Sequence, residues 1–321
     1  MSCMIGNLGS RHRGRQPISG RGPAPQFCGL APARTSRIES SFRLWPRSPG
    51  HNYGCAVRTL GVDLAAANER TAMAAIEWLP DRAVVRDLLL GINDAQIVEA
   101  SRHADKTGID CPFGWPAPFV AFVVAHQAGH VTTVADVEGG AWRRELAYRL
   151  TDEVVRDKTG IVPLSVAADR IGHAAFRCAG LLSMLAADGQ DVDRCGDGRA
   201  VEVYPAAALN RWGLTHRGYK GRRRKVQPGD IVTALSNAAP WLEFGAFEAL
   251  ARRSHDAFDA VIASLAARAA ATGRVNGPND EQRPLARSEG WIALPTSPLR
   301  VLIETADPTT PNGSLPTSSR G

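Results

Sequence analysis

At 321 residues, with 44% hydrophobic and 22% charged residues, the chain is long enough to bury one large core or two small ones, and it lacks the bias of a fibrous or wholly disordered protein. No window approaches the roughly 18 uninterrupted apolar residues that cross a bilayer; the most apolar segment, Phe119 to Ala125, is far shorter, so a soluble, cytoplasmic protein of enzyme size is expected. The net charge of +6 is unevenly spread: residues 1–56 carry eight Arg, no Lys and one acid, Glu39, a net of +7 that leaves about −1 for residues 57–321.

That leader is rich in Gly, Pro, Ser and Arg and has no helical or strand periodicity, which predicts disorder. An organelle transit peptide, a nucleic-acid-binding arm and an over-extended start all fit an Arg-rich, acid-poor leader, whereas the missing apolar h-region argues against a secretory signal. The six cysteines (Cys3, Cys28, Cys55, Cys111, Cys178, Cys195) form no C-x-x-C pair and have no His at ligand spacing. They suit a reducing cytosol and argue against a structural zinc site.

Along the chain, Val57 to Ala66 reads as a buried strand that ends in Gly61-Val62-Asp63 and delivers one carboxylate to a sheet edge. Residues 71–78 and 82–90, separated by the turn Leu79-Pro80-Asp81, are two further strands, so the first three form an antiparallel meander. Asn93 caps a helix to about His103. A short strand then ends in Gly108-Ile109-Asp110, repeating the earlier pattern before breaking into Cys-Pro-Phe-Gly-Trp-Pro.

Residues 116–187 read as mostly helical, over 116–128, 141–157 and 164–187. Arg149 and Asp152 fall at i and i+3, the spacing of a solvated ion pair on one helix face. Arg199 to Pro205 is the next strand, with Glu202 on the side opposite Val201 and Val203. The densest basic cluster follows, Tyr219-Lys220-Gly221-Arg222-Arg223-Arg224-Lys225, which suits a phosphate backbone or a solvated loop. Short helices are expected at 230–238 and 240–250. Ser254 caps a strong helix from His255 to about Ala271, in which Asp256 and Asp259 lie one turn apart. A polar loop runs from Thr272 to Pro284, an edge strand or loop occupies 288–295, and a Pro, Thr and Ser tail begins near Glu304.

The acids therefore sit at particular places: Asp63 and Asp110 at strand ends, Glu202 on a strand, Asp256 and Asp259 at the start of a helix. Carboxylates converging on one sheet edge repel each other unless a cation neutralises them. Hard oxygen ligands suit Mg²⁺ or Mn²⁺, and two such ions can promote phosphodiester hydrolysis.

The element order resembles the ribonuclease H fold, and Asp256-Ala-Phe-Asp-Ala260 resembles the acidic helix of RuvC-type Holliday-junction resolvases. More closely, the chain resembles the domain of unknown function 429 family of predicted nucleases. The matching stretches are Gly-Val-Asp-Leu-Ala at 61–65, Gly-Ile-Asp-Cys-Pro-Phe-Gly-Trp-Pro at 108–116, Tyr-Arg-Leu-Thr-Asp at 148–152, Glu-Val-Tyr-Pro-Ala at 202–206, Tyr-Lys at 219–220, Asp-Ala-Phe-Asp-Ala at 256–260 and Glu-Gly-Trp-Ile at 289–292. The resemblance implies an α/β fold with a ribonuclease H-like mixed sheet, an antiparallel meander plus parallel strands, flanked by helices. The expected organisation is an extension over 1–56, the folded domain over 57–302 with a helical insertion at about 116–190, and a tail over 303–321. It further implies that Asp63, Asp110, Glu202 and Asp259 match the family's acidic motifs, with Asp256 as an accessory ligand.

On this reading the chain is a nuclease acting on DNA or RNA. Asp63 is shared by two divalent ions, Asp110 and Asp259 each bind one, and Glu202 is a further ligand or a base. Lys220, Arg222, Arg223 and Arg149 hold the substrate backbone. Two other readings compete. An actin-like or sugar-kinase ATPase needs a Gly-rich turn after the first Asp, where this chain has Leu-Ala-Ala-Ala. A non-catalytic binding module is favoured by the near-neutral core charge.

Overall fold

The computed structural model describes residues 57–130, 140–220 and 226–304. The leader over 1–56, most of the tail and the basic residues Arg222, Arg223, Arg224 and Lys225 lie outside the described residues. In chain order the elements are β1 (Val57–Asp63), β2 (Ala72–Trp78), β3 (Ala83–Leu90), α1 (Asp94–Ser101), β4 (Lys106–Asp110), α2 (Ala117–Gln127), α3 (Ala141–Ala147), α4 (Leu150–Thr159), α5 (Gly172–Ala187), β5 (Ala200–Glu202), α6 (Pro205–Arg211), α7 (Pro228–Ala238), β6 (Leu242–Glu243), α8 (Glu248–Arg253), α9 (His255–Ala271), β7 (Val275–Asn276), α10 (Arg283–Glu289) and β8 (Leu294–Pro295). None of these helices is long and apolar enough to cross a membrane.

Six strands form one mixed sheet in the order β5-β4-β1-β2-β3-β6. The expected meander is present: β1 pairs antiparallel with β2, and β2 with β3, across a register shift at Ala75/Ile76. The chain then crosses over through α1, whose Asn93 accepts from the Gln96 amide at 3.0 Å and forms a capping box, and β4 returns parallel to β1. A second crossover, holding α2 to α5, places β5 parallel to β4. This α/β architecture of a mixed sheet flanked by helices is consistent with the ribonuclease H-like arrangement.

Five segments differ from the sequence expectations; one is the helix expected over 240–250, where Leu242–Glu243 pairs as strand with β3 and α8 starts only at Glu248. The helix expected over 141–157 is broken at Tyr148 and Arg149, both extended, because the Asp152 carboxylate accepts the Arg149 amide at 2.9 Å and starts a new helix there. Residues 164–171 are loop and turn, so α5 begins only at Gly172. The strand over 199–205 pairs for three residues and gives way to α6, which Pro205 opens at the position where its missing N–H costs nothing. In the last part, α10 also starts with a proline near its first turn, and only Leu294–Pro295 pairs as strand, with β7.

Helix α9 is the centre of the core. Its residues from Ala257 to Ala269 are all buried, as expected of a helix that is apolar on every side. Ser254 caps it by accepting from the Ala257 amide at 3.2 Å. It lies across β1, β2 and β4, and two glycines set how closely. Gly61 and Gly108 are register partners on neighbouring strands. A Cβ at Gly61 would stand 2.1 Å from the Ala260 carbonyl oxygen, and one at Gly108 would stand 2.5 Å from that of Ala263. The helix backbone thus rests directly on the sheet. The buried hydroxyls of Thr59 and Ser264 meet at 2.8 Å in the same interface, and Trp78 donates to Thr59 at 2.9 Å.

Gly61→Ala is therefore expected to push α9 off β1 and cost roughly 3 kcal/mol, which in a domain of this size lowers the melting temperature by on the order of 10 °C. Thermal denaturation followed by circular dichroism checks this; an unchanged melting temperature would show that the helix does not sit where the structure has it.

Candidate metal centre

Successive side chains of a strand alternate between faces, so residues i and i+2 share one. Since Gly61 and Gly108 face α9, Asp63 and Asp110 face the same way at the C-terminal ends of β1 and β4, where they too are register partners. Asp259 comes from the second turn of α9. One carboxylate oxygen from each of Asp63, Asp110 and Asp259 lies within 4.8 Å of the other two, a group that could hold a metal ion. Asp259 is fully buried, while Asp63 and Asp110 are partly open and line a cavity of about 440 Å³ with Tyr204, His216, Arg217 and Lys220.

Burial, then Asp259 and Asp110, pushes the Asp63 carboxyl well above the usual carboxylate range. Burial, opposed by Lys220 but reinforced by Asp259 and Glu202, raises Asp110 to about 7. Neither carboxylate has a hydrogen-bond or ion-pair partner among the described residues. Asp259 is held on both oxygens: the Tyr219 hydroxyl donates to Oδ1 at 2.8 Å, and the Lys220 Nζ pairs with Oδ2. Burial by itself would lower the Lys220 ammonium, but Asp259, Tyr219, Asp110 and Asp63 outweigh it and hold its pKa above the ordinary lysine value.

Three of the residues expected at this centre do something else. Glu202 faces Arg149, not the aspartates: Arg149 donates to Oε1 at 2.7 Å and to Oε2 at 2.8 Å, and Oε2 also accepts the Phe113 amide at 2.9 Å. With both oxygens engaged and 2% exposure, it stands outside the acidic group. Arg149 is likewise 2% exposed and, although it lines the cavity, its guanidinium is taken up by Glu202, Asp152 and the Glu289 carbonyl. Its pairing with Asp152, at 2.9 and 3.1 Å, is buried, not solvated. Asp256 accepts from Arg70 at 3.0 and 3.1 Å and pairs with His255 Nδ1 at 2.9 Å. Burial works against its charge, but His255 and Arg70 hold its carboxyl down to about 2.

The Arg149 cluster is the wall behind the centre. Arg149 also donates to the Glu289 carbonyl at 3.0 Å, and the Glu289 carboxylate accepts the Ala117 and Leu150 amides at 2.7 and 2.8 Å. Gly290 completes it with φ +91°; a Cβ there would stand 2.6 Å from Glu202 Oε2, so only glycine fits on both counts. The Thr151 hydroxyl accepts the Ile292 amide at 2.8 Å. Residues 148–152, 202 and 289–292, distant in sequence, thus meet at the loop that follows Asp110. The repeated Gly-x-Asp pattern and the Tyr-Lys pair acquire their roles only in space: each glycine admits α9 against its strand, and the Tyr219 hydroxyl binds Asp259.

A family model described as a protein of unknown function, DUF429, matches residues 61–283. The chain belongs to the DUF429 family. No curated protein and no solved structure matches it. The matched span of DUF429 takes in all three aspartates, Lys220 and the Arg149–Glu202 pair, but stops before Glu289 and Gly290.

Arg149→Met would leave Glu202 and Asp152 buried without their counter-charge, so a loss of about 3–5 kcal/mol is expected, measured by urea unfolding. The acidic group yields a second expectation. The folded chain keeps on Asp110 a proton that the unfolded chain releases near pH 4, so this contribution is present at acid pH and is lost as pH rises through about 7. In EDTA, Asp110→Asn should accordingly melt above the wild type at pH 8 but not at pH 5. Added Mn²⁺ should stabilise the wild type more at pH 8 than at pH 5, since a metal competes with protons for carboxylates.

Proposed function

We propose that the chain is a divalent-metal-dependent hydrolase of phosphodiester bonds in DNA or RNA. The observation that carries this reading is the meeting of Asp63, Asp110 and Asp259 within 4.8 Å at the mouth of a cavity. Their donors are hard carboxylate oxygens with no soft ligand among them, which suits Mg²⁺ or Mn²⁺ and disfavours zinc. When bound, such an ion supplies Lewis-acid charge that favours attack of water on a phosphodiester.

The chain's own residues do the rest. Asp63 and Asp110 offer unpaired carboxylates from rigid strand ends, and Asp259 completes the group from α9. Burial and mutual repulsion keep the first two short of counter-charge, so a cation is gained at little cost in competing contacts. Glu202, through Arg149 and the Phe113 amide, holds the backbone that follows Asp110 and acts as a positioning residue. His216 and Arg217 line the same cavity and are placed to meet a substrate anion. The basic run Arg222 to Lys225 begins two residues after Lys220 in sequence, a composition that suits a phosphate backbone.

With Mn²⁺ present, cleavage of single-stranded, duplex, hybrid or branched oligonucleotides is expected, together with a fall of more than about 100-fold in Asp63→Asn, since even groups that only support metal ligands cost roughly 10–100-fold. Gel-resolved products check this. A metal-replete wild type inert on all four substrates, or an Asp63→Asn variant of full activity, overturns the reading.

A further inference from the structure

The three aspartates of the centre are not equivalent. Asp63 and Asp110 have no protein partner among the described residues, whereas Asp259 is engaged on both oxygens, by the Tyr219 hydroxyl and the Lys220 ammonium. Lys220 is anchored there. Tyr219, immediately before it, is 1% exposed and packs edge-on against Phe258, with ring centroids 6.1 Å apart. Its hydroxyl fastens the same backbone to Asp259, and the Val226 amide closes the base of the loop on the Gly218 carbonyl at 3.1 Å. The lysine is therefore carried to the acidic group by a segment tied to α9 at the residue beside it.

Charge points the same way. Three carboxylates and one ammonium sum to −2, which a single divalent ion balances; two ions would leave a surplus of positive charge beside Lys220 while it pairs with Asp259.

We propose that Lys220 is the second cation of this centre: it holds Asp259, and the site takes one divalent ion, on Asp63 and Asp110, instead of the two expected from the acidic motifs. The inference rests on the metal-dependent reading above and fixes its stoichiometry. Lys220 is then a counter-ion for the acidic group and not a hook for substrate phosphate.

Calorimetric titration of the EDTA-treated full chain with Mn²⁺ tests this. The wild type is expected to bind one ion per chain, Lys220→Met to bind two, and Lys220→Arg, which keeps the charge, to bind one. The side chain of Lys220 is 45% exposed, so its truncation leaves the core intact, and circular dichroism with a melting curve verifies folding of each variant. Two ions on the wild type, or one on a folded Lys220→Met, overturns the assignment of Lys220 while leaving the metal centre standing. No Mn²⁺ binding by the wild type overturns the metal centre itself. The wild-type stoichiometry and Lys220→Arg keep the proposal falsifiable if Lys220→Met does not fold.

Discussion

The contact on which the site depends is between backbones: α9 rests on β1 and β4 at Gly61 and Gly108, with no side chain between them. A strand repeats every two residues, so the carboxylates two positions beyond those glycines point toward the same helix and clear its N-terminal turns. Asp259, on α9 next to the Ala260 that touches Gly61, is brought against them. The pattern Gly-x-Asp, written twice, thus encodes a close approach and a ligand together. A bulkier residue at either glycine would move the third aspartate away from the first two.

Two buried charge systems flank this contact and differ in how fully their carboxylates are partnered. In the first, Arg149 is matched by Glu202 and Asp152, with backbone amides filling the remaining acceptor positions. Such a cluster is worth little net stability against an apolar equivalent, but breaking it is costly because each member leaves an uncompensated charge. Its value is geometric, since it fastens loops after β4, before α4 and after α10 to one point. In the second, three aspartates face a single lysine, and burial and repulsion raise the pKa of Asp63 and Asp110. The cluster whose carboxylates are all hydrogen-bonded builds the wall; the one with unpartnered carboxylates is left with affinity for a cation.

Much of the architecture was legible in the residues. The meander, the capping of α1 by Asn93 and of α9 by Ser254, and the strand ends at Asp63 and Asp110 all follow from period, turn and cap signals that act over a few residues. Two of the segments that differ have different kinds of cause, a contact from afar in one and a local stop signal in the other. The break at Tyr148 and Arg149 exists because Arg149 is drawn inward to Glu202, 53 positions away. β5 is short because Pro205 ends it and opens α6.

The site divides in the same way. Sequence alone determined which carboxylates could gather: an acid at the end of a short apolar strand or in the first turns of an apolar helix has few places to point, because strand and helix periods set its direction. Only the tertiary structure decided which acids remained free. Glu202 and Asp256 looked equal to the others in spacing, but Arg149 and Arg70, from other parts of the chain, occupy them, while Lys220 reaches Asp259 from 39 residues upstream. Ion pairing depends on distance in space and on shared burial, and neither is written in the spacing of a linear chain.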